Sequence, residues 1–207
     1  MARRIWYIVA ALITAQAHAG IFVGGSLGYE IADVTLGYKP YNASVTMAEK
    51  ALVHSFDIGY RHHIFDNWSL SIEGQFMPFK GRGSRNIQVD FDIDSTPINL
   101  FELQTQIVYQ ADVRLIPTWH YSPYVDLLFP FGVTASKLHL TVTELGSKTV
   151  KKMVAPAITA GAGVNYHIDD NYTVGLICNI GKFNYSNNDV SYKPFQNRIM
   201  LRMNYEL

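Results

Sequence analysis

Charged residues and cysteine are both scarce in this chain, and each shortage excludes a class of protein. Only 16% of the 207 residues are charged, whereas soluble domains average about 25%. One cysteine excludes a disulfide-stapled scaffold and a cysteine-rich zinc module. The 17 basic and 17 acidic residues cancel, so no excess of positive charge favours nucleic acid as a partner. No run after the N-terminus approaches the ~18 apolar residues of a transmembrane helix.

Aromatic residues are abundant instead. There are 13 Tyr and 11 Phe, together with 15 Gly. A chain with so many aromatics and so little charge is not intrinsically disordered. Its length suits one domain.

The N-terminus has the plan of a secretory signal peptide. Arg3 and Arg4 precede an apolar run at 5–15, and a small-x-small motif ends at Ala19. The run is too short for a membrane anchor, which needs about 20 residues. We therefore expect a cleaved signal at 1–19, with the cut between Ala19 and Gly20, and a mature domain at 20–207.

From Gly20 onward, apolar and polar residues alternate in eight runs separated by turn residues. The fourth run is the clearest, and in it Ile107 is predicted on the apolar, lipid-facing side and its neighbour Gln106 on the polar, lumenal side. Alternating segments of about ten residues are typical of transmembrane β-barrels. The sequence therefore predicts an all-β fold, a closed antiparallel eight-stranded transmembrane β-barrel.

The connections between the runs alternate in length. Short turns at 62–67, 116–122 and 167–171 alternate with four longer segments, and aromatic residues cluster beside the short turns. Outer-membrane barrels have short periplasmic turns, longer external loops and aromatic girdles. We therefore expect four long exposed loops.

A soluble lipocalin-type barrel is the alternative, because it also has eight alternating strands. In that fold the apolar face would point inward. Here one face is nearly free of charge along all eight runs, and lysine is almost confined to the long segments. This distribution favours an apolar face in lipid and a polar face around the lumen.

The first and last runs resemble a known family. Residues 20–29, GIFVGGSLGY, resemble the opening strand of OmpA/opacity-type outer-membrane barrels. The alternation of Ile199, Leu201, Met203, Tyr205 and Leu207 resembles that family's terminal strand. The resemblance implies a bacterial outer-membrane location and recognition by the outer-membrane assembly machinery.

Eleven charged residues fall on the polar face and are predicted to form an interior charge network: Glu30, Asp57, Arg61, Glu73, Glu102, Asp112, Arg114, Asp126, Arg198, Arg202 and Glu206. An eight-stranded barrel is just wide enough to be filled by side chains. Buried charges must be paired, so we expect a salt-bridged plug. A proton- or ion-conducting path is the alternative.

The sequence predicts no catalytic residue, no cofactor and no metal site. His120-Tyr121-Ser122 resembles the His-x-Ser of lipid A deacylases, but no carboxylate follows at a suitable spacing. The acids at 90, 92 and 94 do not form an EF-hand loop, since Ser95 and Phe101 stand where glycine and glutamate are needed. Cys178 falls on the apolar face, where we expect an inert thiol.

Four lysines are candidates for lipopolysaccharide contact: Lys137, Lys148, Lys151 and Lys152. They flank a predicted hairpin turn at Gly146. Apolar residues change phase between Val133 and Leu138, which predicts that the strand either bulges or leaves the membrane near 135–137. Lysine binds phosphate as a point charge. The alternative is a solvated hairpin without a preferred ligand.

We therefore expect a non-enzymatic protein with a structural or adhesin-like surface role. Its partners would be outer-membrane lipid, lipopolysaccharide, the assembly machinery and a host or surface ligand. A small pore is the alternative, and a lipid-modifying enzyme is a weaker one.

Heat-modifiable gel migration tests the barrel itself. A closed barrel resists detergent until it is boiled, so unboiled and boiled outer-membrane fractions should migrate differently. Identical migration together with a soluble periplasmic pool would contradict the membrane barrel.

Overall fold

The computed structural model describes residues 19–38, 43–78, 81–89, 98–144, 147–183, 185–186 and 190–207. The ordered elements are strands: β1 (Ala19–Tyr38), β2 (Ala43–Phe65), β3 (Trp68–Met77), β4 (Gly81–Val89), β5 (Ile98–Ser122), β6 (Val125–Leu128), β7 (Phe131–Glu144), β8 (Ser147–His167), β9 (Tyr172–Phe183), β10 (Tyr185–Ser186) and β11 (Val190–Glu206). In these ranges no helix is long and apolar enough to cross a membrane.

The strands form one closed antiparallel ring. β1 pairs with β2 on one side and with β11 on the other, from Phe22 opposite Glu206 to Tyr38 opposite Val190. β3 and β4 both pair with β5, β6 and β7 both lie between β5 and β8, and β10 follows β9 beside β11. Counted around the ring, these eleven elements make eight barrel strands, which confirms the predicted fold class.

The wall has its apolar side outward. Leu52 and Ile158 are 72% and 75% exposed, whereas Glu73 and Arg114 in the lumen are 0% and 2% exposed. A soluble barrel would show the reverse arrangement, because its apolar residues would fill the interior. The exterior therefore requires an apolar solvent, and the lipocalin-type alternative is wrong.

Aromatic pairs surround the end of the barrel that carries the short turns. The rings of Trp68 and Trp119 stack with centroids 6.4 Å apart, and Tyr124 stacks with Tyr166 at the same distance. Amphipathic rings favour the headgroup region of a bilayer. This end of the barrel is therefore placed at one membrane interface.

At the other end, paired strands take the place of open loops. β2 has 23 residues and β5 has 25, although about 9–11 tilted residues cross a bilayer. The β1–β2 ladder runs to Tyr38 opposite Ala43, and the β7–β8 ladder runs to Glu144 opposite Ser147. Pairing satisfies the backbone groups of these long segments, so they extend from the barrel as hairpins.

A bulge in β5 overturns one predicted facing. The register between β5 and β7 shifts between Ile107 and Tyr109, which leaves Val108 as the extra residue. One extra residue moves every following side chain to the opposite face. Ile107 is therefore lumenal and only 3% exposed, while Gln106 lies on the outer face. The prediction that Ile107 faces lipid is wrong.

The predicted bulge near 135–137 of β7 is also absent from the described wall. Even-numbered residues of β7 point inward throughout, from Thr134 to Leu138 and Leu140. The backbone of β7 is regular. Its apolar residues change phase because the lumenal positions are polar at Thr134 and Ser136 and apolar at Leu138 and Leu140. In the outer half, Ile107, Leu138 and Met153 lie side by side across three strands as a buried apolar layer.

Alanine substitution of matched leucines tests this layer. Leu138 is buried in the lumen, whereas Leu201 faces lipid and is 57% exposed. Leu138→Ala should lower the free energy of unfolding by about 2–5 kcal/mol, because it opens a cavity. Leu201→Ala should cost clearly less, because lipid fills the space. Urea unfolding of the barrel in lipid vesicles measures both, and equal losses would contradict an apolar lumenal layer.

Candidate functional site

The lumen inside the membrane holds an ion-pair network centred on Glu73. This carboxylate lies on β3 opposite Arg114 of β5 and accepts a hydrogen bond from its guanidinium. Arg202 reaches it from β11, with 2.6 Å between Arg202 Nη2 and Glu73 Oε2. Both arginines are nearly buried, so each oxygen of this carboxylate faces one guanidinium group, and a single negative charge is shared between two positive ones in a low-dielectric interior.

A second group centres on Arg198 of β11. Its Nε donates to Glu30 Oε2 of β1 at 2.9 Å. Its terminal nitrogens donate to Asp112 Oδ2 at 3.3 Å and to Gln110 Oε1 at 2.6 Å, both on β5. The planar guanidinium suits three acceptors at once, and it joins strands from opposite sides of the lumen.

Asp57 is held by neutral donors. Its carboxylate accepts hydrogen bonds from Ser26 Oγ at 2.8 Å, Ser55 Oγ at 2.9 Å and Gln75 Nε2 at 2.7 Å. Three donors compensate a buried carboxylate for much of its lost hydration. Not every predicted member of the network is therefore an ion pair.

Arg61 and Glu206 form the pair nearest the end with short turns. Arg61 Nη1 and Glu206 Oε2 are 3.0 Å apart, and the side chain of Glu206 remains 26% exposed. The guanidinium also lies 5.7 Å from the centroid of the Phe22 ring. Gly59 makes room for that ring, since a Cβ at this position would clash with it.

Asp126 is lumenal but pairs with histidines. Its Oδ1 lies 2.7 Å from His120 Nδ1, and its Oδ2 lies 2.8 Å from His167 Nε2. The ring of His63 stacks on His120 with centroids 5.1 Å apart. The sequence spacing had argued against a His120–Asp126 contact, but the hairpin between β5 and β6 places the two residues directly opposite each other.

This pair does not extend to a serine nucleophile through Ser122. The Ser122 hydroxyl accepts a hydrogen bond from the Tyr124 backbone N–H at 3.3 Å. A catalytic triad needs the base within hydrogen-bond reach of its nucleophile. The contacts of His120 and Ser122 instead stabilise the short turn.

Of the eleven charges predicted in the interior, the structure brings ten to the lumenal face: Glu30, Asp57, Arg61, Glu73, Asp112, Arg114, Asp126, Arg198, Arg202 and Glu206. The side chain of Glu102 lies outside the described part. The polar partners Gln110, Gln75 and Ser55 were missed as members, although their position on the polar face was the available signal.

A small polar cavity adjoins this network. Asp112, Arg114, Thr159, Asn179, Gln196 and Arg198 are among its lining residues, and the centre of a water molecule has about 10 Å³ in which to move. Four buried polar atoms have no hydrogen-bond partner among the described residues: Asp112 Oδ1, Thr159 Oγ1 and the amide oxygen and nitrogen of Asn179. The cavity fits about one water molecule.

The four lysines predicted to contact lipopolysaccharide divide between two faces. Lys148 and Lys152 are exposed on the outer face of β8, while Lys151 belongs to the opposite face. The ammonium of Lys137 lies 5.4 Å from the centroid of the Tyr109 ring. The predicted set is therefore not one cluster.

No group of three His, Cys, Asp or Glu residues in the described ranges has the geometry to hold a metal ion. The acids at 90, 92 and 94 lie outside these ranges. Cys178 is exposed on the lipid-facing side of β9.

No protein-family model matches the chain, and no curated protein matches it. Solved structures do resemble it. The outer membrane protease OmpT from Escherichia coli is 10% identical over 91% of this chain and 97% of its own, with a TM-score of 0.55. OprG from Pseudomonas aeruginosa is 10% identical over 91% and 96%, with a TM-score of 0.52. Neisserial surface protein A is 13% identical over 92% and 99%, with a TM-score of 0.49.

At 10% identity, the likeness to OmpT and OprG shows a shared fold only and carries no information on activity. The fold is that of bacterial outer-membrane β-barrels, so the resemblance to OmpA/opacity-type barrels is confirmed at this level. The apolar exterior of the wall agrees with the predicted outer-membrane location.

A pair of glutamate substitutions tests the ion-pair network. Glu73→Gln removes the carboxylate that two buried guanidinium groups contact, and breaking such a buried pair costs about 3–5 kcal/mol of unfolding free energy. Glu206→Gln breaks one partly exposed pair and should cost about 1 kcal/mol or less. Urea unfolding in lipid vesicles measures both. Equal costs would show that Glu73 is not the centre of the network.

Proposed function

We propose that this chain is a non-enzymatic outer-membrane protein that makes surface contacts through the hairpins extending from its barrel. The β1–β2 and β7–β8 ladders continue well beyond the length that a bilayer requires. They leave the barrel at the end opposite the aromatic short turns, and since short turns are periplasmic in outer-membrane barrels, the proposal has the hairpins on the outside of the cell.

The paired hairpins are the observation that carries this proposal. Regular pairing restricts the backbone of a surface segment, so less conformational entropy is lost when a partner binds. The outer face of the β7–β8 hairpin also displays Lys148 and Lys152 to solvent. Such a scaffold suits an adhesin-like contact with a host or surface ligand.

A small pore is the second candidate. The polar cavity beside Asp112 and Asn179 favours it, because water fits there. The guanidinium groups of Arg198 and Arg202 reach across the lumen, however, and the apolar layer of Ile107 and Leu138 covers the outer half. These features support a closed barrel.

We propose two further partners for the protein, lipopolysaccharide and the outer-membrane assembly machinery. Ile199, Leu201 and Met203 of β11 are each about half exposed toward lipid. Together they form the alternating apolar face by which terminal strands of the resembling family are recognised.

Hairpin shortening tests the surface role. Residues 139–152 would be replaced by a two-residue Asn-Gly turn, which closes the β7–β8 ladder near its base; residues 35–46 of the β1–β2 hairpin would be replaced likewise. We expect bacteria that produce the full chain to adhere to epithelial cells, and at least one shortened variant to lose adhesion while its barrel remains heat-modifiable.

The matched control is Lys151→Gln, which removes a charge and keeps the hairpin. Unchanged adhesion in both shortened variants would contradict the surface role. Discrete conductance steps in planar bilayers would favour the pore, and altered lipid A acylation on overproduction would favour an enzyme.

A further inference from the structure

The bulge at Val108 creates a polar row on the outer face of the barrel. Because of the extra residue, Gln106 lies on the outer face directly opposite His139 of β7. His139 is in turn opposite Lys152 of β8. Residues directly opposite each other in antiparallel strands share a face with their Cβ atoms about 5 Å apart. Three hydrogen-bonding side chains from three strands therefore stand side by side.

A second cation lies next to this row. Lys137 lies two residues before His139 on the same face of β7, and its ammonium is 5.4 Å from the centroid of the Tyr109 ring. The Tyr109 ring packs against Phe76 with centroids 5.8 Å apart. A cation–π contact restricts the lysine side chain and leaves donors free for an anion.

One ring nitrogen of His139 has no partner in the part of the chain that the structure describes. Its Nε2 atom is buried from solvent and has no hydrogen-bond partner among the described residues. A buried unsatisfied nitrogen costs free energy. An anion beside Lys137 and Lys152 would accept a hydrogen bond from this nitrogen when it carries a proton.

The same outer face is apolar closer to the membrane. Val133, Val154 and Ile158 are 58%, 56% and 75% exposed on β7 and β8. A tilted strand crosses the bilayer in about ten residues. On β8, ten residues before Tyr166 of the aromatic belt is Pro156, which therefore marks the outer boundary of the hydrocarbon region. Lys152 lies two outward positions beyond it. The cations are therefore at the level of the outer headgroups, above a wall that contacts acyl chains.

We propose that Gln106, Lys137, His139 and Lys152 bind a phosphate group of lipid A, with the acyl chains of the same molecule against Val133, Val154 and Ile158. This rests on the proposed outer-membrane role, because the hairpin side of the barrel faces the leaflet that contains lipopolysaccharide. Lysine ammonium groups bind phosphate as point charges. The apolar wall selects an amphiphile over free phosphate.

Native mass spectrometry of the folded barrel tests the site. Protein released from detergent micelles would be titrated with diphosphorylated lipid A, with phosphatidylglycerol and with inorganic phosphate. We expect lipid A to bind more tightly than phosphatidylglycerol, and inorganic phosphate not to be retained. The double variant Lys137→Gln/Lys152→Gln should weaken lipid A binding about tenfold, equivalent to ~1.4 kcal/mol.

Lys151→Gln is the matched control, because it removes the same charge one residue away on the opposite face of β8. It should leave lipid A binding unchanged. Lys148→Gln should also have little effect, since Lys148 lies near the hairpin tip. All variants would first be shown to be folded by heat-modifiable migration.

Equal loss of binding in the control and in the double variant would overturn the site, since net charge alone would then explain the affinity. Equal binding of phosphatidylglycerol would overturn the assignment to lipid A. Either result would leave the proposed surface role standing, because adhesion is measured separately. Intact lipid A binding in a protein without hairpin-dependent adhesion would reject that role and keep this site.

Discussion

Backbone hydrogen bonding in a solvent that offers none is the constraint on which this structure depends. Each N–H and C=O group inside a bilayer needs a partner within the protein. The ladder between β1 and β11 supplies partners for the two strands that would otherwise be edges. Closure then forces alternate side chains into a narrow lumen, and the rest of the architecture follows from how that lumen is filled.

The lumen is filled in two different ways along the barrel axis. Inside the membrane segment, Glu73 and Arg198 organise hydrogen-bonded charges, because the outward positions there must be apolar. In the outer half, Ile107, Leu138 and Met153 form a packed layer, because polar residues replace apolar ones on the outer face there and the hydrophobic effect acts inward again. The same chain therefore changes from a membrane barrel to a soluble-type barrel along its length.

The bulge at Val108 connects this change to the outer surface. It places Ile107 in the apolar layer and Gln106 on the outer face beside His139. A β-bulge changes the direction of side chains locally, so one extra residue contributes to both the lumenal core and the proposed lipid A site.

Alternation by itself determined the eight strands, their antiparallel order and the lumenal position of charges such as Glu73 and Arg114, because a period of two is a local property of the chain. Tertiary pairing decided the rest. Asp126 contacts His120 and His167 because β6 lies between β5 and β8, and Ile107 points inward because β5 has one residue more than β7 over the same ladder. Such features depend on the register between strands, which is set by backbone pairs distant in sequence and which no pattern within one strand contains.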